Sequence, residues 1–187
     1  LKILKNKPKI LFTSSGAVYG KNIKKQKHNE KKSIKIDSIN QLTGYKKKYA
    51  KEKIFLEKKF QSLCVKNYKV SIARCYTFIG KNIINYNYAI SDLINDALYR
   101  PAIKLKSTNN VYRSYMHSDD LSKWLVTILK NSNKKCPIYN VGSDKVINLR
   151  SLTKKIANSV KKKPILKRIL SKKFDYYAPS VTKAKRE

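Results

Sequence analysis

The chain has 187 residues, 41% of them apolar, enough for one domain and its core, or for one domain with part of another. Charged residues break every long apolar run, which excludes a helix of the roughly 18 uncharged apolar residues a membrane crossing needs. The 44 Lys+Arg against 11 Asp+Glu give a formal net charge of +33, which raises nucleic acid as a partner.

The bases are mostly lysine, spread from Lys2 to Lys185 among many Asn, Ile and Tyr. That is the texture of a lysine-coated surface written by an AT-biased genome. A specific nucleic-acid reader uses clustered arginine with stacking aromatics. The expectation is salt-sensitive adhesion to polyanions without a specific nucleic-acid partner.

In chain order, Leu1 to Gly20 imitates a signal peptide, basic then apolar, but ends in polar and turn residues without a small-x-small cleavage pattern. Ile10 to Phe12 reads as a strand buried on both faces, and Ser14 to Gly20 as a loop. Lys21 to Thr43 is polar and shows no period. From Gly44 a helix carries Ala50, Ile54, Phe55, Leu63 and Val65 among lysines until Asn67, and a second buried strand covers Lys69 to Ala73. Strand, helix, strand predicts a parallel sheet with a right-handed crossover. Further on come a helix over Ala89 to Leu98, a strand over Ile103 to Leu105, an amphipathic helix over Asp119 to Leu129 and a strand over Pro137 to Val141. Asn148 or Ser151 caps a helix over Leu152 to Val160, and an apolar piece, Pro164 to Leu170, ends before a basic tail. Cys64, Cys75 and Cys136 are an odd number without a CxxC pair, which suggests neither a disulfide framework nor a zinc site. Reduced thiols and the lack of a leader or span predict a cytoplasmic protein with no membrane partner.

Two features carry chemistry. Tyr49 and Lys53 are four apart on the proposed helix, one turn from each other on the same face. A free tyrosine has a pKa of roughly 10, and a neighbouring ammonium favours its phenolate, so the pair is a candidate proton-transfer device. With 13 tyrosines and so many bases, chance supplies several such spacings, and the pair acquires meaning only in company. Ser14 and Ser15 supply that company at the carboxyl end of the first strand, where parallel sheets bind ligands.

Ser15, Tyr49 and Lys53 together resemble the Ser-Tyr-Lys set of the extended short-chain dehydrogenase/reductases, the NAD-dependent epimerase/dehydratase family that modifies nucleotide sugars. "FTSSGAVYG" (12–20) resembles that family's Ser-Ser-x-x-Val-Tyr-Gly strand and loop, and "YAKEKIFLE" (49–57) its Tyr-x-x-x-Lys-x-x-x-Glu helix. "IARCYTFIG" (72–80) is similar to the strand and loop beside the nicotinamide, "YRSYMHSDDL" (112–121) to an Arg-x-Tyr-x-His-x-x-Asp-Leu segment, and "YNVGS" (139–143) to a Tyr-Asn-Val-Gly strand. The blocks stand in the family's order.

The resemblance implies a partial Rossmann-like, doubly wound parallel sheet with a small mixed α/β substrate-binding region. Residues 1–80 would be the second half of the dinucleotide-binding domain and 81–187 mainly the substrate region, with 117–143 returning to the Rossmann-like domain. It implies NAD or NADP as cofactor, a nucleotide-diphosphate sugar as substrate and a homodimer when complete. Ser15 would hold the sugar oxygen and Tyr49 would be the acid/base. Lys53 would lower the tyrosine pKa and bond the nicotinamide ribose, while Ser14 and the backbone around Tyr76 and Thr77 would line the cofactor. Arg113 would grip the diphosphate, and His117 and Asp120 would support structure as cap partners.

Two departures narrow this. Family dehydratases carry Asp-Glu directly after the catalytic Ser/Thr, where this chain has Gly16 and Ala17, which argues against 4,6-dehydration. The family's Gly-x-x-Gly-x-x-Gly pyrophosphate turn is expected roughly 100 residues before the serines, and the five glycines at 16, 20, 44, 80 and 142 form no such cluster. The expectation is a carboxyl-terminal part of a 4-keto-6-deoxy sugar nucleotide reductase or a 4-epimerase, with a lean towards reductases of polysaccharide synthesis. Its rivals are an inactive or split-gene fragment and a basic nucleic-acid-binding module.

Overall fold

The computed structural model describes residues 7–22, 24–81, 88–170 and 174–187, so the first residues of the signal-like opening lie outside the described residues. β1 runs over Lys9–Ser15, and both serines therefore belong to the strand, not to the loop expected after Phe12. A one-turn 3-10 helix, Gly16–Tyr19, follows, started by the Ser15 hydroxyl accepting the Ala17 N–H at 3.2 Å. The aperiodic stretch before residue 43 contains a short helix, α1 (Ile36–Asn40), anchored by the buried Ile39. α2 (Gly44–Val65) ends as expected just before Asn67, which takes a left-handed φ of 62°. β2 (Lys69–Cys75) is buried on both faces, the environment its apolar run requires.

The remaining elements are β3 (Phe78–Ile79), α3 (Ala89–Tyr99), β4 (Ala102–Leu105), β5 (Asn110–Ser114), β6 (Met116–His117), α4 (Ser118–Lys130), β7 (Ile138–Val141), β8 (Val146–Asn148), α5 (Leu149–Ser159), β9 (Lys163–Leu166), β10 (Phe174–Tyr177) and α6 (Thr182–Arg186). His117 caps α4 by accepting the Asp119 N–H at 3.3 Å, the structural role expected of it, and Asp119 and Asp120 face the positive end of the helix. Asn148 caps α5 through the Arg150 N–H at 2.8 Å.

β2 lies between β1 and β7 in an all-parallel sheet. Phe12 stacks on Phe60 of α2 at 4.5 Å on one face. On the other, Ala73, Met116, Ile128, Tyr139 and Val141 close a core with Leu121 and Trp124 of α4. Each such fully buried aliphatic side chain contributes roughly 1.5–3 kcal/mol. A second sheet holds β5 between β10, parallel, and β8, antiparallel; β3 pairs with β6 and β4 with β9. Among the described residues no helix is long and apolar enough to cross a membrane.

The register of the first sheet sets up everything near the site. Ser15 pairs with Cys75 and Cys75 with Val141, so three strands end level and three loops leave side by side. Tyr76 lies across them. A Cβ on Gly16 would sit 2.4 Å from the Tyr76 ring, so that position must be glycine for the ring to lie there, and one on Gly142 would sit a tight 3.0 Å from the Tyr76 Cβ.

The segment after Leu170 is not a bare basic tail. β10 adds a strand to the second sheet, and Tyr176, Ala178 and Val181 are buried. The alternation of aromatic and small residues there outweighs the lysines around it, because buried area and not charge decides which segment packs.

Candidate active site

Adjacent serines on a strand point to opposite faces, and here they enter two different environments. Ser14 is buried and donates to Glu57 Oε1 at 2.6 Å. The same carboxylate takes a bidentate ion pair from Arg74, Nε at 3.0 Å and Nη2 at 2.7 Å, with both side chains about 5% exposed. Arg74 Nη1 donates to the Tyr19 hydroxyl at 2.9 Å, and Tyr19 donates to Asn140 Oδ1 at 3.0 Å. Asn140 Nδ2 donates to the His28 carbonyl at 3.1 Å, and the His28 ring stacks on Tyr19 and bonds the Tyr76 hydroxyl through Nδ1 at 3.0 Å. Burial works against the charge on Arg74, but the Glu57 hydrogen bonds more than offset it and hold the guanidinium protonated. Burial, with Lys32 nearby, drives the His28 pKa down to about 4, so the ring is neutral at physiological pH.

Ser15 opens towards a cluster of hydroxyls. Its Oγ lies 3.3 Å from the Tyr177 hydroxyl, and the Ser15 side chain is close enough to Tyr49 to favour its phenolate form. Lys53, one turn beyond Tyr49 on α2, donates to the Thr13 carbonyl at 2.8 Å and stands 5.6 Å from the Tyr49 ring centre. Partial burial raises the Tyr49 pKa, the Ser15 side chain works the other way, and the Lys53 ammonium is engaged with the Thr13 carbonyl. Tyr49 therefore carries its proton at neutral pH. Tyr177 is likewise raised by burial.

The other expected residues divide. Arg113, on β5, is clamped by Asp175 of β10, with Nη2 to Oδ2 at 2.7 Å and Nη1 to the Asp175 carbonyl at 2.9 Å, and its guanidinium lies 5.8 Å from the Tyr177 ring centre. It thus joins the Ser15–Tyr49 group through Tyr177. Tyr76 and Thr77 stand at the right strand end, but the Tyr76 N–H donates to Val141 O at 2.8 Å and the Thr77 carbonyl accepts the Met116 N–H at 3.2 Å. Those two backbone groups are committed to the fold, as is the Ser14 hydroxyl.

Sequence reasoning missed Tyr177, His28 and the wiring of Tyr19 and Asn140. Tyr19, Arg74 and Asn140 sit inside quoted blocks, where only the spacing of conserved-looking words was visible. Tyr177 could have been sought in "FDYYA", whose aromatic density is strand-like.

Comparison with known proteins fits this arrangement. The model of the NAD dependent epimerase/dehydratase family matches residues 2–142. The fold is similar to UDP-N-acetylglucosamine 4-epimerase from Bacillus cereus (TM-score 0.74, 20% identity, 95% of this chain and 56% of that one). It is similar to UDP-glucose 4-epimerase from Thermotoga maritima with UDP-glucose (0.74, 18%, 95% and 56%) and to dTDP-glucose 4,6-dehydratase from Bacillus anthracis in complex with NAD (0.73, 17%, 96% and 55%). The chain spans little more than half the length of these structures. No curated protein matches the sequence. A parallel sheet whose strands end level at a serine facing a Tyr-x-x-x-Lys helix, within a stretch that matches the family over residues 2–142, leads to one conclusion: the chain belongs to the NAD-dependent epimerase/dehydratase family.

Proposed function

We propose that these residues form the reacting end of a nucleotide-sugar oxidoreductase or epimerase, a 4-keto-6-deoxy sugar nucleotide reductase of polysaccharide synthesis or a 4-epimerase, working at a hexose carbon, C4 in our reading. One observation supports this most: Ser15 presents its hydroxyl to the Tyr177 phenol at 3.3 Å, beside Tyr49, at the carboxyl end of a parallel sheet. In this reading Ser15 bonds the sugar oxygen. Tyr49, protonated at rest, gives its proton to that oxygen when a keto sugar is reduced and takes it back when a hydroxyl is oxidised. Lys53, released from Thr13, bonds the nicotinamide ribose, and its positive charge then helps Tyr49 to act as a base. Arg113, pre-oriented by Asp175, supplies a fixed charge for the diphosphate.

NAD(P), when bound, accepts or returns the hydride. The described residues fit its nicotinamide end: a phenol, an ammonium and a hydroxyl lie within one turn of helix and one strand end. They offer no pyrophosphate cradle, since Gly16, Gly20 and Gly142 each face the protein's own atoms within 3.1 Å. The same packing bears on the reaction. Gly16 stands where family dehydratases carry an acid, and the Tyr76 ring leaves no room there for any side chain, which favours hydride and proton exchange over 4,6-dehydration.

The test is Tyr49→Phe in the full-length gene product. Turnover of a nucleotide-diphosphate hexose should fall by roughly 10²–10⁴-fold while NAD(P) affinity, followed by cofactor fluorescence, stays nearly unchanged. Undiminished turnover would remove Tyr49 from the mechanism.

A further inference from the structure

The fold brings together two cysteines that are far apart in sequence. Cys64 lies in the last turn of α2, and Cys136 in the loop that enters β7, at the opposite end of the sheet from Ser15. Their side chains are close enough to influence each other. Both also converge on one carbonyl: the Cys64 Sγ lies 4.0 Å from Asn133 O, and the Cys136 N–H donates to the same oxygen at 3.3 Å. The two thiols are free and only partly buried, so a small oxidant can reach them.

The backbone under Cys136 adds a second observation. Asn133 O and Oδ1 accept the N–H groups of Cys136 and Lys135 in a tight turn that puts Cys136 at φ 49°. Left-handed φ suits glycine or asparagine and costs other residues free energy, so a cysteine held there, with its sulfur against a second cysteine, calls for a reason.

We propose that Cys64 and Cys136 form a reversible intramolecular disulfide, a redox modification site that ties the end of the Tyr49 helix to the strand entering the sheet beside β2. With hydrogen peroxide as oxidant, the Cys64 thiolate attacks one peroxide oxygen, giving a sulfenic acid and releasing hydroxide that a proton converts to water. The Cys136 sulfur then displaces the hydroxyl of that sulfenic acid as a second water, and the S–S bond forms. Two thiols lose two electrons and two protons, and one peroxide becomes two waters. Burial, with Cys64 beside it, pushes the Cys136 thiol up to about 12. Cys75, paired with Ser15 at the other end of the sheet, stays outside the reaction.

The experiment treats the reduced full-length gene product with hydrogen peroxide, alkylates it and maps its peptides without reduction. The expected result is one peptide joining Cys64 to Cys136 within a single chain, reversed by dithiothreitol, with a higher thermal midpoint in the oxidised form. Persistence of both as alkylatable thiols, or a bond to Cys75 or to a second chain, would overturn the proposal. Cys64→Ser and Cys136→Ser, each checked for native circular dichroism, should abolish both the linked peptide and the thermal shift. A shift that survives in either variant would equally overturn it.

Discussion

Ser14 and Ser15 are neighbours on one strand, yet one belongs to scaffold and the other to the candidate site. Ser14 enters a dry network in which Glu57, Arg74, Tyr19 and Asn140 have partners within 3.1 Å. Ser15 enters a cluster of neutral hydroxyls, with a long 3.3 Å contact to Tyr177. A charge inside a protein must be fully partnered and so is not free to meet a ligand. A half-satisfied phenol or hydroxyl costs far less to leave open, and can exchange its contact for a substrate oxygen.

If that contrast is right, the largest effect comes from the scaffold. Glu57→Ala leaves Arg74 buried without a counter-charge and should cost about 3–5 kcal/mol in urea unfolding. A loss under about 1 kcal/mol would mean that Arg74 has another partner. Next is the pH dependence of the same network. The His28 pKa in the folded protein is about 4, below the ordinary value near 6.5, so the unfolded chain takes up the proton first as pH falls. Stability from this group is complete above about pH 6.5 and declines towards pH 4, by about 3 kcal/mol in all. His28→Asn should flatten that window, and an unchanged acid slope in the variant would take His28 out of the account. The smallest effect on stability belongs to the site: Tyr177→Phe removes one 3.3 Å hydroxyl contact and should shift unfolding by no more than about 1.5 kcal/mol. Its kcat/KM for the sugar nucleotide should fall up to about tenfold while NAD(P) affinity holds. Unaltered kcat/KM would return Tyr177 to the scaffold.

Local patterns were legible where one physical term dominates. The apolar run of β2, Asn148 as one of two candidate caps and the helix stop near Asn67 were read from residues alone, since burial on two faces, a side-chain acceptor and a left-handed turn each leave a local signature. Ser15, Tyr49 and Lys53 became a set through their resemblance to the family's Ser-Tyr-Lys pattern, since spacing alone recurs by chance. Residues 174–177 were misread because lysines on both sides masked four residues that pack. Spacing places Lys53 one turn from Tyr49 but cannot say that its ammonium bonds the Thr13 carbonyl.

By itself, the sequence determined that a parallel α/β sheet forms, that a serine ends its first strand, and that a phenol and an ammonium share a face of the next helix. Those are matters of periodicity and of near neighbours along the chain. Only the tertiary structure decided which serine is committed to Glu57, that Tyr177 meets Ser15 from the far end of the chain, that Tyr76 closes the space over Gly16, and that Cys64 faces Cys136. Each depends on strand register and on competition for buried hydrogen bonds, which arise only once distant segments are packed together.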